Sequence, residues 1–408
     1  MNEAIIILVM AEEKWEEADF VRQQIEGRGH RAKILDMGLL DLAKGPCDIT
    51  REEVIQAGEK NPEEMARISD RGKRMPVMVA GGRKKVRELY SQGELSGVIS
   101  VGGTTGTRMG TGIMKALPFG VPKFAVSSTA ALPGLASRYI GTADITLMHS
   151  VVEIAGLNNM MKNVLAQAAG AICGMVEGAR DVPVVLTGEG ETALIAMTHF
   201  GPCEECAVSV RTQLEEMGYQ VIGFSAAGIG DRAMEEIIET RNIFSAVIDL
   251  APGGVGEELL GFTRAAGSTR LEAAGKRGLP QVIATCGVNF GSPLKRKYKP
   301  EYESRKKYDY DAARTFLRLS HEELIMVADR MAEKLNGARG PVVVLIPSGG
   351  WSSVDKRGTY FFDGEADRVF VARLKKQLNP DIEVREVDAD LETTYFAGAV
   401  VNALAGVL

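Results

Sequence analysis

A short β-branched run, Val98–Val101, leads straight into Gly102-Gly103-Thr104-Thr105-Gly106-Thr107 and then into a segment that reads as helix. Apolar strand, glycine-rich turn, helix start is the order in which α/β proteins build a seat for an anion. Glycines let the backbone turn tightly and approach a ligand. The first amides of the helix are unpaired donors, and the helix end carries roughly +0.5 charge. Phosphate is the commonest guest of such a seat. The spacing is neither the dinucleotide fingerprint Gly-x-Gly-x-x-Gly nor a Walker loop, since no Lys follows Gly106, so it points to an anion and to no particular nucleotide. A plain strand-to-helix turn is the other use of the same residues.

The same grammar runs along the chain twice. Ala4–Met10 is a continuous apolar run typical of a buried parallel strand, Trp15, Ala18, Val21 and Ile25 repeat at helical spacing, Gly27 and Gly29 stop the helix, and Arg31–Leu35 returns as a strand. Later, Ala193–Thr198 reads as strand, Cys206–Met217 as helix, Gly218 as its stop and Gln220–Phe224 as the returning strand. Val21, Arg22, Gln24, Glu26 and Gly29 stand 189 positions before Val210, Arg211, Gln213, Glu215 and Gly218. Ser96–Ile99 leads to Gly102-Gly103 as Ser245–Asp249 leads to Gly253-Gly254. Gly120-Val121-Pro122 opens the strand ending at Ser127-Ser128, as Gly278-Leu279-Pro280 opens the one ending at Thr285-Cys286. Shared order at three places is what an old duplication of a β-α-β domain leaves behind.

These readings define the expected fold class: two tandem Rossmann-like, doubly wound parallel-sheet α/β domains. At 408 residues the chain is too long for one ordinary core. The boundary is expected at Glu177–Pro183, giving domains at 1–180 and 181–392, with a closing helix at 393–408 that reaches back onto the first. Lys295–Tyr310 reads as a solvated, low-complexity excursion. Parallel sheets bind ligands at the carboxyl ends of their strands, so the two glycine turns are expected to line one cleft.

A net charge of −6 provides no global basic field, which disfavours duplex nucleic acid and anionic membranes as main partners. Apolar stretches are strand-sized, and Met1–Met10 runs directly into Glu12, Glu13 and Lys14, so a soluble, cytoplasmic chain without a membrane span is expected. Five scattered cysteines argue for a reducing compartment.

Four stretches in the first half, Gly102–Thr107, Lys115–Lys123, Gly141-Thr142-Ala143-Asp144-Ile145 and Ser150–Asn158, occur in a specific order. In the second half Arg270–Ala274, Gly278–Gln281, Val288-Asn289-Phe290-Gly291, Pro347–Gly350 and Phe362-Asp363 continue it. The ordered set resembles the family formed by the ATP-binding, replication-inhibiting region of the tomato mosaic virus resistance protein and its uncharacterised bacterial relatives. That resemblance implies two Rossmann-like domains, ATP as a cofactor, a homodimer, and a TIM-barrel protein as a further partner. The chain departs from the family pattern after its first strand. There Val9-Met10-Ala11-Glu12-Glu13-Lys14 keeps an acid and a Lys but lacks the small residues that let backbone approach phosphate.

Several side chains are candidates for the chemistry. Lys14 is placed to neutralise phosphate charge, and Glu12 to hold Mg²⁺, because hard cations in nucleotide sites take one or two carboxylates plus phosphate oxygens. Ser127 and Ser128 offer hydroxyls at a strand end. Gly228, Gly230, Gly253, Gly254 and Asn289 are the expected second-half contributions to the cleft. His149, grouped with Asp144 and Glu153, and Asp249 are the candidate acid–base residues. Cys203-Glu204-Glu205-Cys206 opens a helix, the setting of a redox pair, although two carboxylates oppose thiolate formation there.

The expected function is a nucleotide (ATP)-binding, two-domain protein that acts in or regulates a small-molecule enzyme system. One alternative is a nucleotide-independent isomerase, lyase or hydrolase of a small carboxylate or phosphorylated acid. The other is a protein- or RNA-binding module that uses the basic residues of 295–310.

Overall fold

Strand β1 (Ala4–Val9) is buried at every residue, because β2 (Ala32–Asp36) and β3 (Leu95–Gly102) pair with it in parallel along both edges. Its side chains alternate between two apolar clusters: Ile6 and Leu8 face one, Ile5, Ile7 and Val9 the other. The computed structural model describes residues 3–40, 42–183, 193–312 and 314–408, and the chain divides into two compact units, Met1–Val185 and Leu186–Leu408.

In the first unit α1 (Ala11–Glu26) joins β1 to β2. Helices α2 (Arg51–Ala57), α3 (Pro62–Ala66) and α4 (Arg71–Ser91) precede β3. Then come α5 (Thr104–Met114), β4 (Lys123–Ser127), α6 (Ala136–Ile140), β5 (Thr146–His149) and α7 (Asn159–Asp181). The five strands form one parallel sheet in the order β2-β1-β3-β4-β5.

The second unit opens with β6 (Leu194–His199), α8 (Glu204–Glu216), β7 (Gln220–Ser225), α9 (Ile229–Thr240), β8 (Phe244–Asp249) and α10 (Gly254–Leu260). Helix α11 (Ala273–Arg277) leads to β9 (Gln281–Ile283). Three short strands, β10 (Phe290–Gly291), β11 (Lys307–Asp309) and β12 (Thr315–Arg318), make a small antiparallel sheet of their own. Helix α12 (His321–Asn336), β13 (Val342–Pro347), α13 (Gly364–Gln377), β14 (Glu383–Val387) and α14 (Thr394–Ala405) complete the unit. Its parallel sheet runs β14-β13-β9-β8-β6-β7.

Counted from the first strand of each, the two sheets are wound in the same order, second-first-third-fourth-fifth. The likeness extends to an irregularity. The pairing of β1 with β3 slips by one residue between Ala4 and Ile5, and the pairing of β6 with β8 slips between Leu194 and Ile195. Both units are therefore Rossmann-like, and the repeat read in the sequence corresponds to a repeat of topology and register.

Helix α14 packs within the second unit: Phe396, Val400 and Leu404 lie in the same apolar cluster as Val210 and Leu214 of α8 and Ile248 of β8. Residues 295–310 are largely exposed, as expected of a solvated segment, but are tied to the unit at a few points. Tyr302 is buried against Phe262, Arg305 pairs with Glu323, Lys306 donates to the Phe362 carbonyl, and β11 pairs with β12. Tyr302 anchors the segment, while Lys295, Arg296, Lys297 and Lys299 stay exposed. Among the described residues no helix is long and apolar enough to cross a membrane.

Candidate functional site

Where β3 ends, Gly102 is pressed so close to the first turn of α5 that a Cβ there would lie 2.9 Å from Gly106 Cα. Gly103, the N-cap, has extended backbone and contributes no side-chain cap, and Thr107 N is the first amide of the helix to find an acceptor, on the Gly103 carbonyl at 2.9 Å. The amides of Thr104, Thr105 and Gly106 are left without partners, as the geometry of a helix start requires. They border a cavity of about 340 Å³ that is also lined by Lys14, Ser128, Thr129 and Glu153. A Cβ on Gly103 would meet only Ser128 Oγ at 3.6 Å and Glu153 Oε1 at 3.7 Å. The expected seat is open.

Lys14 reaches the cavity because α1 is broken at that residue, whose φ of −128° and ψ of 28° are not helical. The turn before it is closed from within. Asp36 accepts from Ala11 N at 3.0 Å and Gly38 N at 2.8 Å, so one of the chain's own carboxylates sits at the start of α1, and burial raises its pKa above the ordinary carboxylate value. Glu12 is not a cavity residue. Its buried carboxylate accepts from Leu39 N at 3.0 Å and Leu40 N at 2.8 Å, which takes it away from the Mg²⁺ role expected of it. Glu13 lines the cavity instead, paired with Arg71 at 2.7 Å.

The serines divide in the same way. Ser127 Oγ is fully buried, receives the Thr107 hydroxyl at 2.7 Å and the Thr129 amide at 3.1 Å, and holds β4 against α5. Ser127 and Thr107 are thus supports of the seat. Ser128 faces the cavity and donates to Glu153 at 3.2 Å. Glu153 stands on a loop anchored by the bond from Ser150 N to Ser127 O and by buried Glu17, which accepts from Gly156 N at 2.8 Å. The loop is strained at Val151, a β-branched residue at φ 63°. Sequence spacing grouped Glu153 with Asp144 and His149, but the structure separates them. Asp144 accepts from Lys123 Nζ and Gly120 N, and His149 is exposed at the end of edge strand β5, outside the cavity.

The glycine turns of the second unit are closed. A Cβ on Gly253 would lie 2.2 Å from the Gly287 carbonyl oxygen, and one on Gly254 would lie 2.6 Å from Ala266 Cβ. Gly228, at φ 94°, packs on the Arg264 and Ala265 carbonyls, and a Cβ on Gly230 would lie 2.4 Å from Ser225 O. These glycines permit close backbone packing. Asp249 binds buried Arg270 at 2.6 Å and accepts from Thr198 Oγ1 at 2.6 Å, in a cluster that includes Asp231 and Glu235. A carboxylate fixed in this way has no route to a substrate, which removes the acid–base role expected of it. Asn289 donates to Asp355 at 2.7 Å and Asp367 at 2.9 Å beside Arg318, again inside the fold. Cys203, Cys206 and Cys286 are all buried, and burial pushes the Cys206 and Cys286 thiols up, the opposite of what a redox pair needs.

The cavity residues fit an anion: three free amides, a nearby ammonium, and a glycine whose missing side chain leaves the room. For a cation they supply only Glu13 and Glu153, and no cluster of three metal-ligating side chains exists among the described residues. Mg²⁺ bound through phosphate oxygens needs no more than one or two carboxylates.

Fold and site together define a two-unit α/β protein with one open and one closed glycine turn. The chain belongs to the uncharacterised protein family UPF0261: the N-terminal domain of that family matches residues 3–181 and its C-terminal domain residues 192–408. A UPF0261 protein of Clostridium tetani is 35% identical over 99% of this chain and 98% of its own length. The ToMV resistance protein Tm-1(GCR237) of Solanum lycopersicum is 30% identical over 87% of this chain, which spans only 47% of the tomato protein. A UPF0261 protein of Mesorhizobium japonicum is 32% identical over 97% of both chains.

Proposed function

We propose that this chain binds a phosphorylated small molecule, with ATP and Mg²⁺ as the first guest to test, at the open turn of its first unit, and that it serves or regulates a small-molecule enzyme system. The observation that carries this reading is the set of unpartnered Thr104, Thr105 and Gly106 amides facing a cavity that also holds Lys14. The α5 dipole and a side-chain ammonium both favour negative charge there. The volume of about 340 Å³ lies within the range of small-ligand sites, roughly 300–1,000 Å³. Glu153 and Glu13 are the carboxylates that would hold Mg²⁺ beside the phosphates, where the ion would screen their repulsion of the anion.

The proton-transfer alternative loses Glu12 and Asp249, both committed to buried hydrogen bonds. The nucleic-acid alternative loses Lys306 and Lys307, held by Phe362 and Glu303, and keeps the exposed Lys295, Arg296, Lys297 and Lys299.

Calorimetric titration with ATP, with and without Mg²⁺, tests the reading. Gly103 has backbone angles any residue adopts, so Gly103→Val fills the seat and leaves the fold intact. The expected result is saturable binding by the parent and a loss of at least tenfold in the variant, with an unchanged melting curve. Equal affinity in the variant removes the turn from the site.

A further inference from the structure

The second unit contains a cavity next to its closed glycine turns. It has a volume of about 420 Å³, lies at the carboxyl ends of β6 and β7, and is walled by Phe200 and Phe316 with His199, Arg264 and Arg314 at its edge. Arg264 is only 8% exposed. Glu257 Oε1 receives its Nε at 3.0 Å and its Nη2 at 2.7 Å, and Ser292 Oγ receives Nε at 3.1 Å. Its guanidinium carbon lies 4.8 Å from the Phe200 ring centre and 5.4 Å from that of Phe316. One nitrogen, Nη1, has no acceptor among the described residues. A buried guanidinium fixed on two sides, with its remaining donor at a cavity, is a recognition group awaiting an acceptor.

The charges around the cavity specify that acceptor. Glu257 balances Arg264, Asp311 accepts from Arg314 at 2.7 Å, and Glu204 binds His199 at 2.9 Å. The site offers hydrogen-bond donors but no net positive charge, and the Glu204 carboxylate adds to the cost of a second negative charge. A phosphate dianion is disfavoured and a monoanion is suited. Phe200, half-buried, supplies an apolar wall for a planar body, while Phe316 is 1% exposed and only backs the cavity.

We propose that this cavity binds a small aromatic carboxylate, its carboxylate received by Arg264 Nη1 and Arg314 and its ring lying against Phe200. The site is independent of the phosphate seat in the first unit.

The test is ligand-observed NMR titration of the full chain with benzoate and cinnamate, each against its uncharged amide, benzamide and cinnamamide. Removing Arg264 would strand Glu257, so two rim variants carry the test: Arg314→Ala removes a donor and Ser225→Trp fills the mouth. The expected result is saturable binding of the acids, at least tenfold weaker for the amides, weakened in Arg314→Ala and lost in Ser225→Trp. Gly103→Val should bind the acids as the parent does, which separates this site from the phosphate seat. Absence of saturable binding, equal affinity for acid and amide, or insensitivity to Ser225→Trp overturns the proposal.

Discussion

Gly103 and Gly253 follow the third strand of two sheets wound in the same order, yet their surroundings are opposite. A side chain at Gly103 would have Ser128 Oγ at 3.6 Å as its nearest neighbour, and one at Gly253 would strike the Gly287 carbonyl oxygen at 2.2 Å. Backbone pressed on backbone cannot yield as a flexible side chain can. Gly253→Ala is expected to destabilise the chain by about 1–3 kcal/mol, as overpacking does, and Gly103→Ala by less than about 0.5 kcal/mol. Urea denaturation of the two variants measures the difference, and equal losses would mean that the turns are alike after all.

Asp249 tests whether a buried carboxylate here is structural. With its partner removed, fully buried Arg270 keeps only Asp231 and Glu235. Asp249→Ala should cost about 3–5 kcal/mol, the usual consequence of breaking a buried pair from one side. A variant as stable as the parent would return Asp249 to the acid–base candidates.

Glu153 sets the sign of the electrostatics at the seat. Its carboxylate lies beside the position an anion would take, so Glu153→Gln is expected to tighten inorganic phosphate binding in the absence of Mg²⁺. The expected gain is roughly two- to fivefold, the effect of one charge near a helix end. The same variant should reduce the benefit of Mg²⁺ to ATP binding. Calorimetry with and without the ion reads both effects, and weaker phosphate binding in Glu153→Gln would contradict them.

Glu392 gives a pH dependence. It accepts from the amides of Glu205 and Cys206 at the start of α8, and burial pushes its carboxyl from the ordinary 4.5 up to about 7. A carboxyl that titrates higher folded than unfolded binds more protons in the folded chain. Its contribution to stability is complete below the ordinary carboxylate pKa and is lost as pH rises through the folded value. Between about pH 4.5 and about 7, melting temperature should therefore fall more steeply in the parent than in Glu392→Gln. Parallel curves would place the titration elsewhere.

The strands were legible because Ala4–Val9 and Val98–Val101 are unbroken apolar runs, and the turns because glycines follow them. Whether a turn is open was not legible, because that depends on a neighbour far along the chain. Gly287 closes the turn at Gly253, while Asp36 and Glu392 cap α1 and α8 with the chain's own carboxylates. Glu12 and Asp249 read as free acids because sequence does not show which amides or guanidinium lie opposite. Lys295–Tyr310 reads as solvated because its charges outnumber its apolar residues, and most of it is exposed; Tyr302 is the buried exception. Glu153 carried a usable signal, since it lies in one of the stretches on which the family resemblance rests.

Helix α14 has a practical consequence for anyone handling this chain. A deletion starting at Thr393 would not trim a loose end: it would take Phe396, Val400 and Leu404 out of the interior and bare the apolar side of α8. The second unit would then be expected to aggregate during expression, whereas an affinity tag appended after the exposed Leu408 leaves that interior untouched.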